Sequence, residues 1–242
     1  MPNTAYVTGA DRGLGFALVE DLLKRGWHVF AGSFLSDRQG LDNLSGKYPG
    51  SLQVIILDIS DISSVNAAAA EISSKINKLN LIINCAGIAG MHDRDTTIFG
   101  EIDYEEILRH LNINAVGMLR VTKSVLDLLL NADDKRLVNI TSLAGSVKLL
   151  TRKNQIGYTM SKAASNMQTK LLYNSLSPKG VKVFAIHPGW MHTQIFGDDA
   201  DLMKGAPFEP DQAAALILDF TLNAKQETDH VFFGNDGKPM EY

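Results

Sequence analysis

Tyr158 and Lys162 stand four residues apart in the stretch Gly157-Tyr158-Thr159-Met160-Ser161-Lys162. On a helix that spacing puts both side chains on one face, within reach of each other. A tyrosine titrates near 10 in water, so bringing a phenol to neutrality needs about 3 pH units, or roughly 4 kcal/mol. An ammonium about 4 Å away at an effective dielectric near 20 contributes roughly that much. The pair therefore predicts a phenol lowered by its lysine, able to give a proton to a carbonyl oxygen or take one from an alcohol. A four-residue spacing arises easily by chance, so it needs supporting residues. Ser142 is one: it follows the apolar run Arg136 to Thr141, and a hydroxyl at the carboxyl end of a strand faces the crevice of an α/β sheet. Capping a turn is the other reading of that serine.

A second chemical signal lies near the amino terminus, in Thr8-Gly9-Ala10-Asp11-Arg12-Gly13-Leu14-Gly15. Glycines adopt backbone angles closed to other residues and let backbone N–H groups approach phosphate oxygens at a helix start. The loop suits a pyrophosphate. Its spacing is G-x-x-x-G-x-G, not the commoner G-x-G-x-x-G.

The elements that must carry these residues read as one alternating array. Ala5 to Thr8 is a strand, followed by a helix with Phe16, Val19, Leu22 and Leu23 on one face and a stop at Gly26. His28 to Ser33 is a second strand, and a polar stretch then leads to Leu52 to Leu57, whose near-continuous apolar run predicts a strand covered on both faces. A helix through Ala67 to Ala70, a strand from Leu79 to Cys85, one long helix from Tyr104 to Leu130 and a strand from Arg136 to Thr141 follow. The last elements are a helix from Tyr158 to Ser177, a strand from Val181 to Ile186, a helix from Pro210 to Leu222 and a strand from His230 to Phe233. Seven strands alternating with helices predict a single α/β domain, a doubly wound parallel sheet of the Rossmann type with helices on both faces. Residues 1–100 are expected to serve mainly dinucleotide binding, residues 101–242 catalysis, and the connection 190–208 the substrate.

Composition limits the partners. Of 242 residues, 45% are hydrophobic and 21% charged, and 23 Lys and Arg against 27 Asp and Glu leave a formal charge of -4. The chain lacks the basic excess of a nucleic-acid binder. Its single cysteine, Cys85, excludes an intrachain disulfide, which fits a cytoplasmic setting. No apolar run approaches the roughly 20 residues that span a bilayer, so no membrane attachment is expected. The six histidines show no ligand spacing, and Asp198, Asp199 and Asp201 read as a solvated tip, so no metal is expected.

The glycine loop, Asn84-Cys85-Ala86-Gly87 after the fourth strand, and Tyr158-x-x-x-Lys162 together resemble the short-chain dehydrogenase/reductase family over essentially the whole chain. Gly180 to Thr193 and Gly234 to Met240 resemble its C-factor-like carbonyl reductases. The resemblance implies a catalytic set of Asn114, Ser142, Tyr158 and Lys162. Ser142 would bind the reacting oxygen, and Asn114, with Gly117 three residues on, would support a proton relay to Lys162. Asn112 is left as a surface or capping residue. A cofactor cleft is implied around Gly9, Asp11, Arg12, Gly13, Leu14, Gly15, Ser33, Asp58, Ile59, Asn84, Ala86, Gly87, Tyr158, Lys162, Pro188, Gly189, Met191 and Thr193. Within it Asn84, Ala86 and Gly87 would form the floor, Asp58 would meet the adenine, and Pro188, Gly189 and Thr193 the nicotinamide carboxamide. Asp58 can also be read as a helix cap or turn residue, and Pro188 as loop punctuation.

NADP(H) is expected over NAD(H), because the second strand ends Gly32-Ser33-Phe34 without a carboxylate to repel a 2′-phosphate, while Arg12 and Arg38 offer cations. Arg12 as a solvated loop side chain is the alternative. The expected substrate is a small carbonyl compound or alcohol. Lys148, Arg152 and Lys153 suggest steering of an anion, or simple solvation, and a lid is expected from Trp190, Met191, Ile195, Phe196, Leu202 and Met203. A 3-oxoacyl thioester reductase and a nucleotide-sensing regulatory or scaffold protein are the alternative functions. Met160, Ala164, Met167 and Leu171 lie on helices that form a subunit seam in the family, which implies a homodimer or homotetramer; core burial explains them equally well.

Overall fold

Each apolar run becomes a strand, and each amphipathic stretch returns the chain to the same edge of one sheet. The computed structural model describes residues 2–90, 93–195 and 205–242. Its strands are β1 (Thr4–Thr8), β2 (His28–Ser33), β3 (Leu52–Ile56), β4 (Leu81–Asn84), β5 (Lys135–Ile140), β6 (Val181–His187) and β7 (Phe232–Gly234). They form a seven-stranded sheet in the order β3-β2-β1-β4-β5-β6-β7. Every neighbouring pair is parallel.

The helices are α1 (Gly13–Lys24), α2 (Gln39–Lys47), α3 (Ile62–Ser73), α4 (Tyr104–His110), α5 (Met118–Ser124), α6 (Leu126–Leu130), α7 (Ile156–Leu176) and α8 (Pro210–Asn223). Successive side chains of a strand alternate between faces. Ala5 and Val7 of β1 accordingly join a core layer with Leu18, Leu22, Phe184 and Ile217. Tyr6 joins the opposite layer with Phe30, Ile82, Val121 and Leu137. The chain winds outward from β1 in both directions, so a crevice opens between the carboxyl ends of β1 and β4, the position where such sheets bind ligands.

Three details differ from the sequence reading, each for a physical reason. The apolar run of β3 is not covered on both faces: β3 is an edge strand and Ile56 is 73% exposed. An unbroken apolar run reports hydrophobicity but not rank in the sheet. The polar stretch before β3 forms α2, held by Leu41 and Leu44 at helical spacing, an anchor too small to stand out from its Asp, Asn and Ser neighbours. The expected long helix from Tyr104 to Leu130 is interrupted by a π-helical turn over Leu111–Gly117 and by Val125 at φ -116 and ψ 16.

Phe184 is fully buried and meets Phe220 and Phe233 edge-on at 5.5 and 6.1 Å between ring centroids. Phe184→Ala is expected to cost about 3–5 kcal/mol, measured as a shift of the urea unfolding midpoint at unchanged slope.

Candidate active site

The crevice at the carboxyl ends of β1 and β4 is a cavity of about 1000 Å³. That is the size of a dinucleotide and small-substrate site. Among the sequence-selected residues its lining includes Gly9, Asp11, Arg12, Gly13, Leu14, Gly15, Asp58, Ile59, Ala86, Gly87, Ser142, Tyr158, Lys162, Pro188, Gly189, Met191 and Thr193. Ser33, Asn84 and Asn114 are buried just behind it. Of the expected lid, Trp190, Met191 and Ile195 line the cavity. Phe196, Leu202, Met203 and the acidic residues 198, 199 and 201 lie outside the described residues.

The glycine loop fits a pyrophosphate by exclusion of side chains. Gly9 has φ +67, and a Cβ there would sit 2.6 Å from Ala86 Cα; a Cβ on Gly15 would sit 2.0 Å from the Gly9 carbonyl oxygen. Both clashes are with backbone, which cannot swing away. Thr8 fastens the loop to the end of β4, its Oγ1 accepting from the N–H groups of Cys85 and Ala86, both at 3.1 Å. The amino end of α1 thus faces the cavity with its free N–H groups.

Two cofactor expectations change here. A carboxylate does sit at the end of β2, supplied by the glycine loop and not by the strand: Asp11 accepts from Ser33 Oγ at 2.5 Å, Phe34 N at 3.1 Å and Leu35 N at 3.0 Å. Inspection of β2 alone cannot reveal it, because the partner lies 22 residues upstream of Ser33. Arg12 donates across the cleft to the side-chain and main-chain oxygens of Gln194, both at 3.2 Å. It straps the loop after β6 to the glycine loop, and Arg38 does not line the cavity. Asp58 is a turn residue, its Oδ1 accepting from Ser60 N and Oγ at 2.8 and 2.6 Å, and it lines the cavity. The cap of α3 is Asp61.

Tyr158 is held by a residue the sequence reading missed. Asp93, buried to 5% exposure, accepts from Gly157 N at 3.0 Å and Tyr158 N at 2.8 Å. Its carboxylate therefore caps the first turn of α7 from a loop after β4, with the helix dipole in its favour. Gln155, just before the helix, adopts φ 61, a left-handed conformation that costs a non-glycine residue of order 1 kcal/mol or more. His110 packs edge-on against the Tyr158 ring at 6.4 Å. Its Nε2 accepts from Gly90 N at 2.9 Å, so Nδ1 carries the proton and donates to the Glu106 carbonyl oxygen at 2.8 Å. That arrangement makes His110 a wedge held at both ring nitrogens.

The electrostatics of the phenol run opposite to expectation. Burial is the dominant influence and pushes Tyr158 above its ordinary value; a hydrogen bond with Ser142 and the charge of Arg152 pull the other way. Lys162 lies over the ring face, Nζ 5.7 Å from the centroid, and donates to the Ile140 carbonyl oxygen at 3.1 Å instead of to the phenol oxygen. Its own charge is disfavoured: burial lowers its pKa to about 8. Burial likewise raises the Cys85 thiol to about 12, leaving that cleft residue unreactive, and lowers His187 to about 4, leaving it neutral.

Asn114 lies within the π-helical turn, fully buried. Its amide donates to the Ile88 carbonyl oxygen at 2.8 Å and Ser161 Oγ at 2.9 Å and accepts from Ile88 N at 2.8 Å. The side chain clamps the loop after β4 to α7. Asn112 turns away and accepts from Arg120 at 2.7 Å. Asn84 is core, not floor: its Nδ2 donates to Thr122 Oγ1 at 2.9 Å and Asn139 Oδ1 at 2.8 Å. The pattern Asn84-Cys85-Ala86-Gly87 marks a joint between strands as much as a ligand surface.

Comparison with known proteins gives this geometry a lineage. The family model described as short chain dehydrogenase matches residues 3–202. A 1-hydroxy-2-glutathionyl-2-methyl-3-butene dehydrogenase of Rhodococcus sp. strain AD45 is 31% identical over 99% of this chain and 100% of its own. The C-signal protein of Myxococcus xanthus is 36% identical over 51% of this chain and 72% of its own. The crystal structure of an NADPH-bound carbonyl reductase from chicken fatty liver superimposes with a TM-score of 0.88 at 29% identity, covering 100% of this chain and 94% of that one. The chain belongs to the short-chain dehydrogenase/reductase family.

Lys162 provides a test of the cleft's polarity. Its pKa of about 8 in the folded state lies below the 10.5 of an exposed lysine, so folding disfavours the proton. The penalty is complete below pH 8 and vanishes as pH rises toward 10.5, with stability climbing through that window. Lys162→Met is expected to raise the unfolding free energy at pH 7 by roughly 1–3 kcal/mol and to remove the climb, both read from denaturant melts across pH.

Proposed function

We propose that this short-chain dehydrogenase reduces a small carbonyl compound with NADP(H), NAD(H) being the second choice, and that Tyr158 is its proton donor. The observation that carries this reading is the meeting of Tyr158, Ser142 and Lys162 in the same cavity as a glycine-lined helix start. When bound, the nicotinamide supplies the hydride. The chain's own groups do the rest. Ser142, lining the cavity with Tyr158, orients the carbonyl oxygen, and the phenol delivers its proton to that oxygen as negative charge develops there. A phenol raised by burial stays protonated at neutral pH, which suits reduction better than alcohol oxidation. Lys162 has three protons; Ile140 takes one, leaving others for the hydroxyls of a ribose. Asn114 acts as a positioning residue through its clamp on Ile88 and Ser161. The division of labour between residues 1–100 and 101–242 follows, the first half holding most of the dinucleotide cradle and the second the reacting groups.

NADP(H) is favoured by the NADPH-bound chicken carbonyl reductase. Asp11, at the end of β2, opposes a 2′-phosphate, so the preference is narrow. Association into a homodimer or homotetramer is supported by an apolar face on which Met160, Met167 and Leu171 are 49%, 63% and 60% exposed. Among the described residues no helix is long and apolar enough to cross a membrane; the reading of a cytoplasmic enzyme is supported by the single cysteine, Cys85.

Tyr158→Phe is expected to lower kcat for carbonyl reduction by about 10²–10⁴-fold while NADPH still binds, followed by absorbance at 340 nm and by nucleotide fluorescence. An unchanged kcat removes the phenol from the chemistry, and a partner-dependent phenotype untouched by Tyr158→Phe while NADPH still binds favours a nucleotide-sensing role. Asp11→Asn is expected to tighten NADPH relative to NADH by about tenfold, roughly 1.4 kcal/mol, in a fluorescence titration of both nucleotides.

A further inference from the structure

The cavity's carboxylates lie at one end, where Arg12 accompanies them, and its other cations at the opposite end. Its described carboxylates, Asp11 and Asp58, both lie at the ends of β2 and β3, beside the glycine loop. At the other end, around Ser142 and Tyr158, the lining contributes Arg94, Arg109 and Arg152 in addition to Lys162. These arginines arrive from separate parts of the chain: the segment after β4, helix α4 and the segment before α7. The protein as a whole carries a formal charge of -4, so this concentration of cations runs against its net charge.

Their partners are few. Arg109 meets Glu106 at 3.4 Å with its own side chain 62% exposed. Arg152 donates to the neutral amide oxygen of Gln155. Neither Arg94 nor Arg152 forms an ion pair among the described residues. Loop solvation alone does not account for the pattern, because the neighbouring cations behave differently: Lys148 turns to Glu241 at 3.1 Å, and neither it nor Lys153 lines the cavity.

Resting on the carbonyl-reductase reading, we propose that the substrate carries an anionic group, a carboxylate or a phosphate, held by Arg152 with Arg94 and Arg109 at the rim. A cavity end lined by one sign of charge concentrates ligands of the other, and a guanidinium fork matches a carboxylate or phosphate in a way an ammonium does not. Arg152 lines the same cavity as Ser142, Tyr158 and His187, so an anion it holds shares that cavity with the reacting carbonyl. Trp190, half-exposed on the same cavity, supplies an apolar wall for the rest of the molecule.

Two matched pairs of substrates separate the sources of the anion, with NADPH oxidation as readout. For the carboxylate, acetoacetate is compared with ethyl acetoacetate; for the phosphate, acetoacetyl-coenzyme A with the acetoacetyl thioester of N-acetylcysteamine. The proposal expects the charged member of at least one pair to have a kcat/KM at least tenfold above its neutral partner. Arg152→Gln should shrink that ratio at least fivefold and Arg152→Lys should shrink it less. Equal or better use of both neutral partners, or a ratio untouched by Arg152→Gln, overturns the proposal and leaves carbonyl reduction standing. Turnover of none of the four compounds, with NADPH still bound, overturns the carbonyl-reductase reading and the proposal with it.

Discussion

The site depends on keeping an ammonium and a phenol together where neither is well solvated. Lys162 is 4% exposed, and Tyr158 stands one turn before it on α7. Water would stabilise the charged forms of both; burial thins that solvation, and Ile140 for the ammonium, with Ser142 and the charge of Arg152 for the phenol, offset it only in part. A protonated phenol and a lysine whose charge is only marginally held are the consequence. Proximity alone would predict an acidified phenol. The structure reverses that direction because burial of the phenol outweighs the hydrogen bond with Ser142 and the charge of Arg152, while the ammonium, 5.7 Å from the ring centroid, donates to the Ile140 carbonyl oxygen.

The rest of the fold supplies the rigidity that such a pair requires. β4, β5 and β6 end in register, Asn84 opposite Asn139 and Ile140 opposite Ile186, so the segments carrying Ala86, Ser142 and Pro188 start from one level. Asp93 fixes the first turn of α7 and Asn114 fixes its second, each through hydrogen bonds to the loop after β4. The π-helical turn around Asn114 follows the pattern by which such interruptions gather at functional positions. On the far side, Arg12 ties the glycine loop to Gln194, so the two rims of the cleft are joined by a pair of hydrogen bonds.

Much of this arrangement is legible in the chain itself. The alternation of apolar runs and helices leads to the parallel sheet, and the glycine loop, Ser142, Tyr158 and Lys162 are found where their spacing suggests. Contacts between distant segments are not legible. Asp11 reaching the end of β2, Asp93 capping α7 and Arg94 lining the same cavity as Arg152 are each products of the folded chain, with no local pattern to announce them. Asn84 illustrates the converse. Its place in a recognisable motif suggests a ligand surface, while the packing makes it a tie between β4, β5 and α5.

The protonation of the phenol is open to direct measurement. A spectrophotometric titration of the protein near 295 nm, with the curve of Tyr158→Phe subtracted, isolates the ionisation of that residue. The account predicts that Tyr158 remains a phenol through neutral pH and ionises above the ordinary tyrosine range in the absence of nucleotide. A phenolate appearing between pH 7 and 8 would contradict it, and would return control of the proton to Lys162.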